Sequence, residues 1–140
     1  MSHPYEPLFA LPSMVKNLLH GYILRDTPDA DSLDYELMTR VPDDWVPDGP
    51  RYADLVWCIP FRAEAEQSGQ AGPTHLIVVL KFVDEVVEDI GERLSRHAAS
   101  LLREVTRRHA FGAPDTPPVV APVVVYNGPD PWDAPGGVRI

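Results

Sequence analysis

The stretch that most constrains the fold is HLIVVLKFV at 75–83, in which five consecutive apolar residues precede Lys81. Its hydrophobicity is continuous rather than alternating, which is typical of a strand covered on both faces at the centre of an α/β sheet. A second segment of strand composition, DLVWCIPF at 54–61, is separated from the first by the turn-forming stretch QSGQAGP at 67–73. The two segments predict a hairpin whose second strand is buried.

The remaining apolar patterns predict two helices and further extended segments. LPSMVKNLLHGYI (11–23) has apolar residues at helical spacing and a proline suited to a helix start. A longer helix is predicted to open at Asp84, because acids crowd its first turns, arginines crowd its last, and apolar residues recur every three or four positions. VVAPVVVYN (119–127) predicts a third strand, in which Pro122 indicates an edge or a bulge. The acidic, proline-rich run 26–50 predicts a surface excursion with one extended piece around 37–41.

This order of elements predicts an α/β fold with a small mixed sheet flanked by helices, in a single domain over 1–140. No apolar run approaches the roughly 18 residues that span a bilayer, and the start has no signal-peptide pattern. We therefore expect a soluble, cytoplasmic protein without a membrane partner. Cys58 is the only cysteine, and its place in a strand predicts a small buried hydrophobe rather than a reactive thiol.

The charge balance of the chain indicates which class of partner it is expected to bind only weakly when unaided, namely nucleic acid. The chain carries 21 acidic residues against 12 lysines and arginines, for a formal net charge of −9. Nucleic-acid-binding proteins present a basic face that displaces counterions from phosphates. Unaided DNA binding is therefore expected to be weak.

Three stretches of the sequence carry a family resemblance. The first is HPYEPLF with LPSMVKNLLHGYI, the second is RVPDDWVPDGPRYADLVWCIPFR (40–62), and the third is PPVVAPVVVYNGPDPWDAP (117–135). Together they resemble the recombination-promoting nuclease family, also called YhgA-like transposase proteins, in the PD-(D/E)XK nuclease superfamily. The likeness runs from about residue 3 to residue 135, and the order of the three stretches is more specific than any one of them. The resemblance implies a restriction-endonuclease-like core, which in this chain ends where family members commonly continue.

The same resemblance implies descent from a Mg²⁺-dependent DNA endonuclease. In such sites an Asp at a strand start and a Glu on the neighbouring strand hold the metal, and a Lys or Gln helps to orient the attacking water. Asp54 matches the family's Asp and would be the metal ligand. Lys81 stands where the family has its Glu, Val83 where it has its Gln, and Glu6 where it has a Lys. A cation thus replaces a metal-binding anion.

A second alignment is open. In it, residues 79–81 stand for Glu-x-Lys, so that Lys81 is the retained lysine and the acid is missing at Val79; Glu85 or Glu88 would then be the nearest replacements. Lys81 itself is expected either to extend its amine to solvent or to form an ion pair with Asp54.

We expect from these substitutions a degenerate site that binds no Mg²⁺, in a domain that acts through another protein, either an active homologue or a second copy of the chain. A working Mg²⁺-dependent endonuclease with a rearranged site is the first alternative. A decayed remnant of a mobile element is the second.

Overall fold

The computed structural model is of an α/β protein with a small mixed sheet and a helix on each face of the sheet. It describes residues 9, 11–23, 32–42, 45, 55–62, 74–85, 87–113, 115–126 and 137–139. Within these, the helices are α1 (Pro12–Leu18), which continues as a π-helical turn (Leu19–Ile23), and α2 (Ile90–Arg107), with a 3₁₀ turn at Tyr35–Leu37. The strands are β1 (Thr39–Arg40), β2 (Leu55–Pro60), β3 (His75–Val83), β4 (Val119–Tyr126) and β5 (Gly137–Arg139).

The sheet has the order β1-β2-β3-β4-β5, with β3 at its centre. β2 runs antiparallel to both β1 and β3, whereas β4 runs parallel to β3 and to β5. A parallel pair needs a crossover connection, and α2 supplies it between β3 and β4. The predicted hairpin of β2 and β3 and the predicted central position of 75–83 are both confirmed.

β3 separates two apolar cores. Its even-numbered residues from Leu76 to Phe82 pack with α1 and with Phe9, and its residues Ile77, Val79 and Val83 pack with α2. This division follows from the alternation of side chains along a strand. Both faces of β3 are thereby removed from water, which explains why its sequence is apolar without interruption.

α2 covers its face of the sheet with one apolar stripe. The buried members of the stripe are Ile90, Leu94, Ala98, Leu101 and Val105. Burial of a side chain such as leucine, isoleucine or valine contributes roughly 1.5–3 kcal/mol relative to exposure, so this stripe is a principal attachment of the helix. The predicted stripe is confirmed at these positions. Of the other apolar residues predicted to belong to it, Leu102 is only half-buried and Val86 lies outside the described residues.

The predicted start of this helix is wrong. The helix begins at Ile90 instead of Asp84, and Asp84 and Glu85 form a bend that follows β3 directly. The chain must leave the plane of the sheet and rise to the helix layer before it can lay an apolar stripe on β3 and β4. That requirement is set by the position of the sheet, and the residue pattern at 84–89 does not reveal it.

Two smaller expectations are also met. β1 falls within the predicted extended piece at 37–41. β4 as a whole lies between β3 and β5, but β5 pairs with it only at Val124–Tyr126, so at Pro122 the strand has β3 on one side and no described strand on the other, which fits a local edge. Among the described helices, none has the length and apolar character needed to cross a membrane.

Candidate functional site

Lys81 lies near the end of β3 and is half-buried. It is in phase with Ile77, Val79 and Val83, which all belong to the core beneath α2, so its side chain leaves the sheet on the α2 side. Asp54 and Glu6, the other residues assigned to the site from the sequence, lie outside the described residues.

The strand pairing next to Lys81 bears on the predicted ion pair. Leu55 of β2 pairs with Leu80 of β3. Asp54 directly precedes Leu55 in the sequence, and Lys81 directly follows Leu80. The described pairing of β2 with β3 thus ends at Leu55 and Leu80, which are the chain neighbours of Asp54 and Lys81. The ion pair between Lys81 and Asp54 stays a prediction.

No carboxylate side chain comes from the described strands. β1 to β5 contain neither aspartate nor glutamate over their described lengths. Val79, with 0% of its surface exposed, and Val83, with 9%, flank Lys81 on the same face, so the acid required by either alignment is absent from β3. In the part of the chain that the structure describes, no group of three His, Cys, Asp or Glu side chains could hold a metal ion.

A cleft lies between the beginning of α2 and β4; we call it the α2–β4 cleft. Its volume is about 410 Å³, and it is lined by Glu88, Gly91, Glu92, Leu94, Ser95, Pro122 and Val124. Val124 is the register partner of Lys81 on β4, so the cleft lies beside the lysine. Glu88, one of the two acids proposed to replace the lost carboxylate, lines the cleft; Glu85 does not.

Sequence reasoning missed the other lining residues of the cleft. Glu92 follows Glu88 by four positions, a spacing that places two side chains on neighbouring turns, so this pair could have been noticed. The participation of Pro122 and Val124 had no such signal. They are about thirty positions away along the chain and reach the cleft only through the parallel pairing of β4 with β3.

The connection that enters α2 is strongly acidic. Residues 84–92 contain Asp84, Glu85, Glu88, Asp89 and Glu92 and no lysine or arginine. All five side chains are exposed. Two of them form ion pairs with arginines of α2. Arg93 Nε lies 4.0 Å from Asp89 Oδ2, and Arg96 pairs with Glu92. The mouth of the cleft is therefore a region of negative charge.

The other end of α2 is basic and largely internally bonded. Arg107 Nε donates to Glu104 Oε2 at 3.1 Å, and Arg108 Nε donates to Glu104 Oε1 at 2.7 Å. These hydrogen bonds, from Arg107 first and then Arg108, lower the pKa of Glu104 from 4.5 to about 2. The guanidinium of Arg108 also lies 4.7 Å from the ring centre of Trp45.

A stack of rings fastens this end of α2 to the start of β3. The centre of the Trp45 ring lies 5.6 Å from that of Phe111, and Phe111 lies 5.6 Å from the ring of His75. The stack is at the opposite end of β3 from Lys81 and shares no residue with the cleft.

Cys58 is not a candidate nucleophile. It is buried on β2, and burial raises the pKa of its thiol from 9.0 to about 12. A thiol with so high a pKa has a negligible thiolate fraction at neutral pH. The prediction of a small buried hydrophobe is confirmed.

Comparison of the chain with family models, with curated proteins and with solved structures finds no match. The family resemblance therefore stays a prediction carried by the three sequence stretches described above. What the fold establishes is an α/β protein with a small mixed sheet between helices.

Proposed function

We propose that this chain is a nuclease-like domain of the recombination-promoting nuclease family that no longer cuts DNA and acts by binding another protein. The sequence resemblance supports the family, and the helix-flanked mixed sheet is in keeping with a PD-(D/E)XK core. The pairing of β2 with β3 also supports it, because such a site draws its ligands from the start of one strand and from the strand beside it.

The observation that carries the proposal is the absence of an acid from β3 together with the position of Lys81. The family's site needs a carboxylate on this strand, and a half-buried lysine stands there with valines on both sides of it on the same face. Two unit charges about 4 Å apart interact by about 4 kcal/mol at an effective dielectric constant near 20. Replacing the acid with an ammonium turns attraction of this order into repulsion, so Mg²⁺ is not held.

The charge distribution favours a protein partner over DNA. The net charge is −9, and the acidic connection at 84–92 is exposed beside the candidate site. Phosphates approaching this surface would meet like charge. A partner protein that presents a basic surface carries no such penalty.

A plasmid-nicking assay with Mg²⁺ or Mn²⁺ tests the loss of catalysis. We expect wild type and Asp54→Ala to leave supercoiled plasmid intact to the same extent as buffer. Metal-dependent cutting by the wild type that is lost in Asp54→Ala would reject the proposal.

The assignment of Lys81 to the family's acid position has its own test. We expect Lys81→Glu to gain heat of Mg²⁺ binding in isothermal titration calorimetry, because the substitution restores an anion, whereas Lys81→Gln does not. Circular dichroism of both variants reports whether the fold is kept. Equal Mg²⁺ binding by the two folded variants would show that this position is not the metal-binding one.

One observation favours the alternative of a working endonuclease. Glu88 lines the cleft next to Val124, the partner of Lys81, and so lies where a replacement acid could act. Under this alternative the wild type cuts plasmid with Mg²⁺, Glu88→Gln abolishes cutting, and Glu85→Gln, which alters an acid outside the cleft, leaves it unchanged.

A further inference from the structure

We propose that the α2–β4 cleft is a docking site for a basic segment of a partner protein, in which the stem of a lysine or arginine lies on the apolar floor and its charge meets Glu88 and Glu92. This inference rests on the proposed function, since it gives the protein-binding role a surface and a partner chemistry.

The floor of the cleft is apolar and already formed. Leu94 and Val124 are each 1% exposed and belong to the core beneath α2. Pro122 is half-buried beside them, and Gly91 contributes no side chain to narrow the space. A volume of about 410 Å³ falls within the range of roughly 300–1,000 Å³ typical of ligand pockets. Rigid core residues form this floor, so little ordering is needed on binding.

The walls of the cleft are acidic. Glu92 has Arg96 as a partner, whereas Glu88 forms no hydrogen bond or ion pair with any described residue. Glu88 is therefore the carboxylate that an incoming cation would meet first. Asp84, Glu85 and Asp89 add negative charge nearby, which would steer a basic segment toward the cleft.

The combination of floor and walls selects this occupant over others. A neutral apolar segment would desolvate Glu88 without pairing it. A metal ion would find two carboxylates and no third ligand of its kind among the described residues. Lysine and arginine carry an apolar stem that ends in a charge, and they match both parts of the cleft.

A second copy of the chain fits less well. Each copy has a net charge of −9, so two copies repel each other at long range, whereas a basic segment of another protein is attracted. We therefore assign the cleft to a different protein and keep self-association as an outcome of the test.

The test uses fluorescence anisotropy of the full chain with a fluorescein-labelled (Leu-Arg)₃ peptide as the probe and a (Leu-Glu)₃ peptide as its counterpart. We expect binding of the first peptide at least tenfold tighter than of the second. Glu88→Gln should weaken binding of the basic peptide at least fivefold, and the matched variant Glu85→Gln, which removes the same charge outside the cleft, should change it less than twofold. Ser95→Trp should block binding by filling the space without altering charge.

Four results would overturn the inference. If the basic peptide binds no more tightly than the acidic one, the proposed occupant is wrong. If Glu85→Gln and Glu88→Gln weaken binding of the basic peptide equally, the attraction is diffuse and does not depend on the cleft. Full binding by Ser95→Trp shows that the space is not used. A wild-type dimer by light scattering that Glu88→Gln converts to monomer assigns the cleft to a second copy. The plasmid assay remains a separate readout, because metal-dependent cutting rejects the proposed function whatever the peptide does.

Discussion

The turn that follows α2 gives the sharpest prediction about stability. Its backbone is left-handed at His109, Phe111 and Gly112, with φ values of 54°, 51° and 87°. A Cβ added at Gly112 would lie 2.6 Å from Thr74 Oγ1, 2.8 Å from Thr116 Oγ1 and 2.9 Å from the Thr116 carbonyl oxygen. The first two atoms can rotate away with their side chains, but the third belongs to the backbone. We therefore expect Gly112→Ala to destabilise the protein.

The size of the effect follows from two costs. Left-handed backbone costs a residue with a Cβ about 1–2 kcal/mol. Relief of the contact with the Thr116 carbonyl also strains the neighbouring hydrogen bond, in which Thr116 N–H donates to the Gly112 carbonyl at 2.9 Å. This bond contributes about 1 kcal/mol, so the total loss is about 2–3 kcal/mol. For a chain of this length that corresponds to a fall in Tm of about 6–15 °C.

Thermal and urea unfolding followed by circular dichroism measures this loss, with Gly21→Ala as the matched control. Gly21 has no atom within 4 Å of its would-be Cβ. It lies in the π-helical turn after α1, where alanine is favoured over glycine by about 0.5–1 kcal/mol. The two substitutions should therefore shift stability in opposite directions. A Gly112→Ala variant as stable as wild type would refute the strain argument.

Three further predictions concern single side chains. Leu94→Ala should lower the free energy of unfolding by about 2–5 kcal/mol in urea titrations, because Leu94 is on the buried face of α2 that packs on the sheet. Its exposed neighbour is the control, and Ser95→Ala should change the free energy of unfolding by less than about 0.5 kcal/mol. Cys58 should react with a thiol reagent only in denaturant, because burial raises its pKa to about 12; rapid labelling of the native protein would contradict this. The pKa of Glu104 is lowered from 4.5 to about 2. The stabilisation that its ionised carboxylate contributes to the folded state is therefore complete above pH 4.5 and is lost as the pH falls from 4.5 through 2. The midpoint of urea unfolding should therefore fall more between pH 6 and pH 3 for the wild type than for Glu104→Gln. Equal falls in the two proteins would argue against stabilisation of Glu104 by Arg107 and Arg108.

The candidate site shows where prediction from sequence succeeded and where it ended. Lys81 was identified from its anomalous place in an apolar strand, and its position near the end of β3 is confirmed. The face to which it points follows from strand alternation once the strand is known. The cleft beside it was not foreseen, because two of its seven lining residues, Pro122 and Val124, come from β4, and nothing local in residues 119–126 indicates which helix they will meet.

The sequence by itself determined the elements whose apolar pattern is continuous or regular. β3 was predicted with its observed bounds of 75–83, and β2, β4 and α1 with ends within a few residues, because burial on one face or two dictates composition locally. Only the tertiary structure decided that α2 starts at Ile90, and that Glu88 and Glu92 come to share a cleft with Pro122 and Val124. The physical reason is that a parallel crossover fixes the path between β3 and β4 in three dimensions. Residues 84–89 carry exposed acids, and their pattern does not record the direction that the path takes.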